Sequence, residues 1–227
     1  MCSVRFVWAV PYLLLAGCSV GSNQVTLPDP PTRFSVLLVC DQEVDCDSAQ
    51  VAMESAAKVV LKELGIKLSH AAPLDLSAAT TPCAKGNALL ALKQAIAARK
   101  QRDYDIIFAV LNNNGPYRAL LEYNRQGYAE ALGVVGKRKN NLAYARATGR
   151  PAYDSLVMAH EIGHLLGAGH SLSGVMVFDS TLIRLATGFS SDSVKQIRRS
   201  LTARVFFRSP LIAREPAFRS SPGVSLD

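Results

Sequence analysis

Three histidines within eleven residues constrain this chain more than any other feature: His160-Glu161-Ile162-Gly163-His164-Leu165-Leu166-Gly167-Ala168-Gly169-His170. Residues four apart lie on one face of a helix, so His160 and His164 present two imidazoles to a single point. Glu161 stands one step around from that pair, within reach of a solvent molecule there without itself being a ligand. Gly167 permits the left-handed backbone that ends a helix. The chain then doubles back, and His170 supplies a third nitrogen. Three neutral imidazoles with one open position describe a catalytic zinc, at about 2.0–2.1 Å per Zn–N bond, rather than a closed structural one. With His at about 2% of residues, the five fixed positions match by accident in on the order of one chain in 100,000 of this length. A buried helix whose histidines merely hydrogen-bond leaves the joint spacing of Glu161, Gly167 and His170 unexplained.

The same residues resemble the metzincin clan of zinc metallopeptidases, whose signature adds the third histidine and a downstream methionine turn. Ser173-Gly174-Val175-Met176-Val177-Phe178 is a candidate for that turn. The resemblance implies that Met176 lies beneath the zinc as an apolar base without bonding it. No tyrosine occurs from 171 to 181, so the extra tyrosine ligand of astacin-like members is not expected. Phe189-Ser190-Ser191 through Ile197-Arg198-Arg199-Ser200-Leu201 resembles the closing helix of the adamalysin (reprolysin) branch. The residues agree, since Ser190 or Ser191 can cap a helix that carries Val194, Ile197 and Leu201 on one face. Two positions depart from that branch: Ser171 stands where adamalysins usually have Asp, and no Cys precedes Met176 in the turn.

The beginning of the chain reads as an address. Phe6 to Ala16 is an apolar stretch after a short basic start, too short to span a bilayer but suited to a signal-peptide core. It ends in Leu15-Ala16-Gly17-Cys18, which resembles the lipobox of bacterial lipoproteins. That resemblance implies cleavage before Cys18, acylation of Cys18, and a place in a bacterial cell envelope, at the outer membrane if the source is Gram-negative. Residues 1–17 are thus expected to be signal, 18–32 a lipidated Cys and flexible tether, 33–203 one catalytic domain, and 204–227 an extended tail. About 210 residues after the signal suffice for one domain with a real core. The fourteen residues from Ser19 to Thr32 are too few to fold into an inhibitory propeptide. Among the remaining cysteines, Cys40, Cys46 and Cys83 allow at most one internal bridge. Cys46 with Cys83 is the favoured pair, and Cys40 is expected to be a buried thiol.

Between these ends the elements alternate. Strands are expected at Phe34 to Cys40, Ile66 to Ser69 and Tyr104 to Leu111. A helix capped by Asp47 or Ser48 runs to about Leu64, with Val51, Ala52, Ser55, Val59 and Leu61 at helical spacing. Another covers about Asn87 to Lys100. The order predicts an α/β (α+β) fold with a mostly parallel twisted sheet flanked by helices, and the metzincin resemblance implies the same for the half before the zinc helix. Two short strands are read around the basic turn Lys137-Arg138-Lys139-Asn140-Asn141. By resemblance, an edge strand within 128–136 binds extended substrate through its backbone. Pro151 to Leu166 forms the active-site helix, apolar almost all round and therefore buried. His70, at a strand end, reads as a surface or structural histidine.

The formal charge of +7 does not point to nucleic acid. Basic residues are scattered from 58 to 219 without aromatic interleaving, which describes a solvated surface with some attraction to anionic envelopes. The expected partners are a protein or peptide substrate and a membrane reached through lipid, and the chain is expected to be a monomer. The competing expectation is a zinc-holding binding or adhesion module that cuts nothing. Intact Glu161 favours the zinc endopeptidase, because a pure binder has no need of it.

Overall fold

In the computed structural model the described residues are 33–76, 88–100, 102–122, 126–130, 133 and 141–208. Their strands form one sheet in the order β2-β1-β4-β6-β5, from Lys67–His70, Arg33–Cys40, Ile106–Leu111, Leu142–Arg146 and Gly127–Ala129; the short strand β3, Leu74–Asp75, also pairs with β1. All pairings are parallel except that of β5, which runs antiparallel to β6 at one edge. The predicted α/β class holds, with this one reversed strand.

The strand sequences explain why the sheet is covered on both faces. Val36, Leu38 and Cys40 of β1, Phe108 and Val110 of β4, and Ala143 and Ala145 of β6 face one side, where they pack with α1 (Cys46–Leu64), α3 (Pro151–Leu166) and α5 (Ser191–Arg208). Leu37 and Val39, Ala109 and Leu111, and Leu142 and Tyr144 face the other, against Leu92 and Ile96 of α2 (Ala88–Arg99). Strands buried on both sides need continuous apolar runs rather than alternation, and Val36-Leu37-Leu38-Val39 is such a run.

Helix α1 departs from its sequence reading in two ways. Asp45 caps it, accepting from the backbone N–H of Asp47 at 3.1 Å and of Ser48 at 3.4 Å, not Asp47 or Ser48 themselves. Its inner face is Ala49, Ala52, Met53, Ala56, Val60 and Leu64, whereas Val51 and Leu61 are half exposed at 53% and 49%. Of the predicted stripe only Ala52 is buried. Half of the real stripe is alanine, and small residues let α1 lie close against α3.

The expected Cys46–Cys83 bridge is also corrected. Cys46 is bonded to Cys40, whose Cα lies 5.8 Å away, inside the usual reach of a disulfide. The short turn from β1 into α1 brings these two together, so Cys40 is not a free thiol. Cys83 lies outside the described residues, as do Cys18, the signal and tether, and residues 137–140 of the basic turn.

Other boundaries move by a few residues. The edge strand begins at Gly127, one residue before the predicted window. The closing helix continues to Arg208, so the first residues assigned to an extended tail are helical; 209–227 are not described. His70 ends β2, with its Nε2 4.0 Å from Glu54. Among the described residues, no helix is long and apolar enough to cross a membrane.

Candidate active site

The site is built on α3, of whose sixteen residues twelve are buried. Pro151 opens it at a position where the missing N–H costs nothing. The buried Asp154 fixes the entry loop by accepting from Thr148 N–H at 3.2 Å and Thr148 Oγ1 at 2.5 Å. Gly167 ends the helix at φ 115°, and its N–H donates to the carbonyls of Gly163 and His164. A Cβ at Gly167 would stand 2.4 Å from the side chain of Ser200 on α5, so the reversal that brings His170 back needs glycine for conformation and for room.

Each helix-borne histidine is oriented by a backbone carbonyl. The Nδ1–H of His160 donates to Val175 at 2.6 Å and that of His164 to Ala168 at 2.7 Å. A carbonyl can only accept, so the ring proton sits on Nδ1 in both. Burial holds His160 at a pKa of about 4, helped by the neighbouring rings of His164 and His170, and burial lowers His164 too. Both rings are therefore neutral near pH 7, and both Nε2 atoms carry bare lone pairs.

Those lone pairs point at each other. His164 Nε2 lies 3.0 Å from His160 Nε2 and 3.2 Å from His170 Nε2, and the ligand atoms of all three lie within 4.8 Å of one another. Two proton-free nitrogens at such separation repel unless a cation lies between them. Nitrogens around one tetrahedral zinc at about 2.0–2.1 Å stand about 3.3 Å apart, so the donor set fits that ion. Metal-bound histidines ordinarily donate their other ring N–H to a carbonyl or carboxylate, and the carbonyls of Val175 and Ala168 fill that role.

The segment around Met176 packs against the same helix. Met176 is fully buried, and a Cβ added to Gly163 would be 2.5 Å from its sulfur and 2.8 Å from the Phe189 ring. The glycine between the two helix histidines thus lets Met176 and Phe189 pack against the helix underside. Val175, whose carbonyl orients His160, is held by its own N–H to Gly188 at 2.9 Å. Ser171, which stands where adamalysins have Asp, donates its hydroxyl to Ser173 C=O at 2.5 Å and helps close the turn.

His170 is placed differently. It is exposed, meets Phe178 edge-on with ring centroids 5.1 Å apart, and follows Gly169, whose N–H donates to Gln196 on α5 at 2.8 Å. Glu161 is buried at 5% exposure, and its side chain lies against the backbone of Gly127 in β5. Gly127, Gln196, Ser200 and the carbonyls of Val175 and Ala168 escaped the sequence reading. Gly127 fell just before the predicted edge strand, so it did not read as a strand glycine, which would have marked close approach by another group.

The family model described as Metallo-peptidase family M12B Reprolysin-like matches residues 47–171, more than half of the chain and the whole three-histidine segment. The chain belongs to this reprolysin-like metallopeptidase family. It is a zinc-dependent peptidase, metzincin-like in its mostly parallel sheet and flanking helices. Similar solved structures include archaemetzincin from Methanopyrus kandleri, 18% identical over 75% of this chain and 96% of that one, with a TM-score of 0.48. A zinc-dependent peptidase from Methanocorpusculum labreanum (strain Z) is 14% identical over 71% and 99%, with a TM-score of 0.44. No curated protein matches the chain.

Proposed function

We propose that this reprolysin-like peptidase is an endopeptidase in which His160, His164 and His170 hold the zinc and Glu161 is the general base. The observation that carries the reading is the pair of proton-free Nε2 atoms 3.0 Å apart, each left bare because its ring keeps the proton on Nδ1, where it is donated to a backbone carbonyl. Zinc, when bound, lowers the pKa of water toward about 7 and polarises a carbonyl. Glu161 accepts the proton of the attacking water and delivers it to the leaving amine nitrogen. Strand β5 is the outermost strand on its side of the described sheet. An extended peptide added along it by backbone hydrogen bonds passes Glu161, because Gly127 of that strand adjoins the carboxylate. Met176 serves as the apolar floor of the metal site.

The test is Glu161→Ala in the full chain. The variant should keep one zinc by elemental analysis while hydrolysis of a protein substrate falls by about 10²- to 10⁴-fold. Turnover retained in the zinc-loaded variant removes Glu161 from the base role.

Delivery belongs to the same proposal. The run Leu15-Ala16-Gly17-Cys18 supports a signal ending at residue 17 and a lipid on Cys18, with 19–32 as tether to an envelope membrane. Labelled palmitate should enter the wild-type chain and not Cys18→Ser; equal labelling would remove the anchor.

A further inference from the structure

Gly127 is a glycine in a strand without a backbone reason for being one. The described glycines with left-handed backbone are Gly65, Gly133, Gly149, Gly167 and Gly174, and Gly127 is not among them. Any residue could adopt its conformation. What excludes a side chain is space: a Cβ there would lie 2.5 Å from Oε1 of Glu161, 2.8 Å from its Cγ and 2.9 Å from its Cδ. Because Cγ is included, turning the carboxylate about its last bond does not clear the clash. The whole Glu161 side chain would have to leave.

Neither partner can easily withdraw. Glu161 is buried within α3. Strand β5 is pinned to β6 by the register Gly127↔Ala145, Tyr128↔Tyr144 and Ala129↔Ala143. Flanking bonds extend the hold, Arg146 N–H to Gln126 C=O at 2.8 Å and Glu130 N–H to Leu142 C=O at 3.0 Å. The Tyr128 and Tyr144 rings stand 5.3 Å apart and Glu130 is paired with Lys93. Two rigid elements therefore meet at one bare Cα.

We propose that Gly127 is a positioning residue: the missing side chain makes the hollow that holds the Glu161 carboxylate beside the edge strand. This rests on the assignment of Glu161 as base and says what sets its place. Misplacement of a reacting group by about 1 Å can cost on the order of 100-fold in rate. Gly127→Ala should therefore lower kcat by about 10- to 100-fold while KM stays within about twofold.

The experiment compares wild type, Gly127→Ala, Glu161→Ala, Glu161→Gln and Gly127→Ala/Glu161→Ala, read by metal content, melting and kinetics on a peptide that the wild-type enzyme cleaves. The visible spectrum of each cobalt-substituted protein adds a readout that needs no turnover. Gly127→Ala should keep one metal ion and shift the cobalt spectrum in the direction of Glu161→Gln. In the Glu161→Ala background, where no Cγ remains to meet the new methyl, adding Gly127→Ala should lower the melting temperature by less than it does in wild type. Equal costs in both backgrounds, or an unaltered spectrum and kcat in Gly127→Ala, would overturn the proposal. Should Gly127→Ala fail to fold, refolding of the double variant supports it, and failure of both variants overturns it. Full activity in Glu161→Gln would instead remove the base assignment, an outcome distinct from each of these.

Discussion

The two halves of the metal site are held by different physics. His160 and His164 are buried on a helix, each tied through Nδ1 to a backbone carbonyl at 2.6 or 2.7 Å. His170 is exposed on the return loop, fixed through the N–H of its neighbour Gly169 to Gln196 and by ring contact with Phe178. The helix half is preorganised by the core; the loop half depends on α5 bracing the reversal after Gly167. A helix fixes two ligands to each other by its own geometry, whereas a loop ligand needs outside support.

The sharpest way to break this comparison is to remove one ligand from each half. His164→Ala should abolish retained zinc after dialysis, since it takes away the nitrogen closest to both others. His170→Ala leaves the helix pair intact and should weaken zinc binding while still retaining measurable metal in a competition titration. Equal losses in the two variants would show that the halves are not distinct.

A smaller effect separates them by pH in chelator-treated protein. Burial lowers the His160 pKa to about 4, so between the unfolded value near 6.5 and about 4 the unfolded chain binds more protons than the folded one. Stability must then fall as pH drops through that window and level off below it. A shift of this size corresponds to roughly 3 kcal/mol, and the lowered His164 acts in the same direction. Melting curves across the window should be steeper with pH for wild type than for His160→Ala. Parallel dependence in the two proteins would contradict the burial argument.

How much of this was legible in sequence follows from the range of the forces involved. The helix over 151–166, its glycine stop and the third histidine are local, and spacing alone predicts them. Ile197 and Leu201 of α5 are buried as their periodicity requires. What escaped is long-range. The buried face of α1 is chosen by its neighbour α3, and no hydrophobic ranking favours Ala49 and Ala56 over Val51 and Leu61. The bridge of Cys40 to Cys46 depends on how sharply β1 turns into α1, which cysteine counting does not reveal. The carbonyls of Val175 and Ala168 carry no side-chain signature at all, although they decide which histidine nitrogens face the metal.

X-ray absorption at the zinc edge of the purified protein tests the central claim most directly. One ion bound by three imidazole nitrogens at about 2.0–2.1 Å, with no sulfur neighbour, is the predicted result. A shell containing sulfur at about 2.3 Å, or a protein that takes up no zinc, would contradict the account.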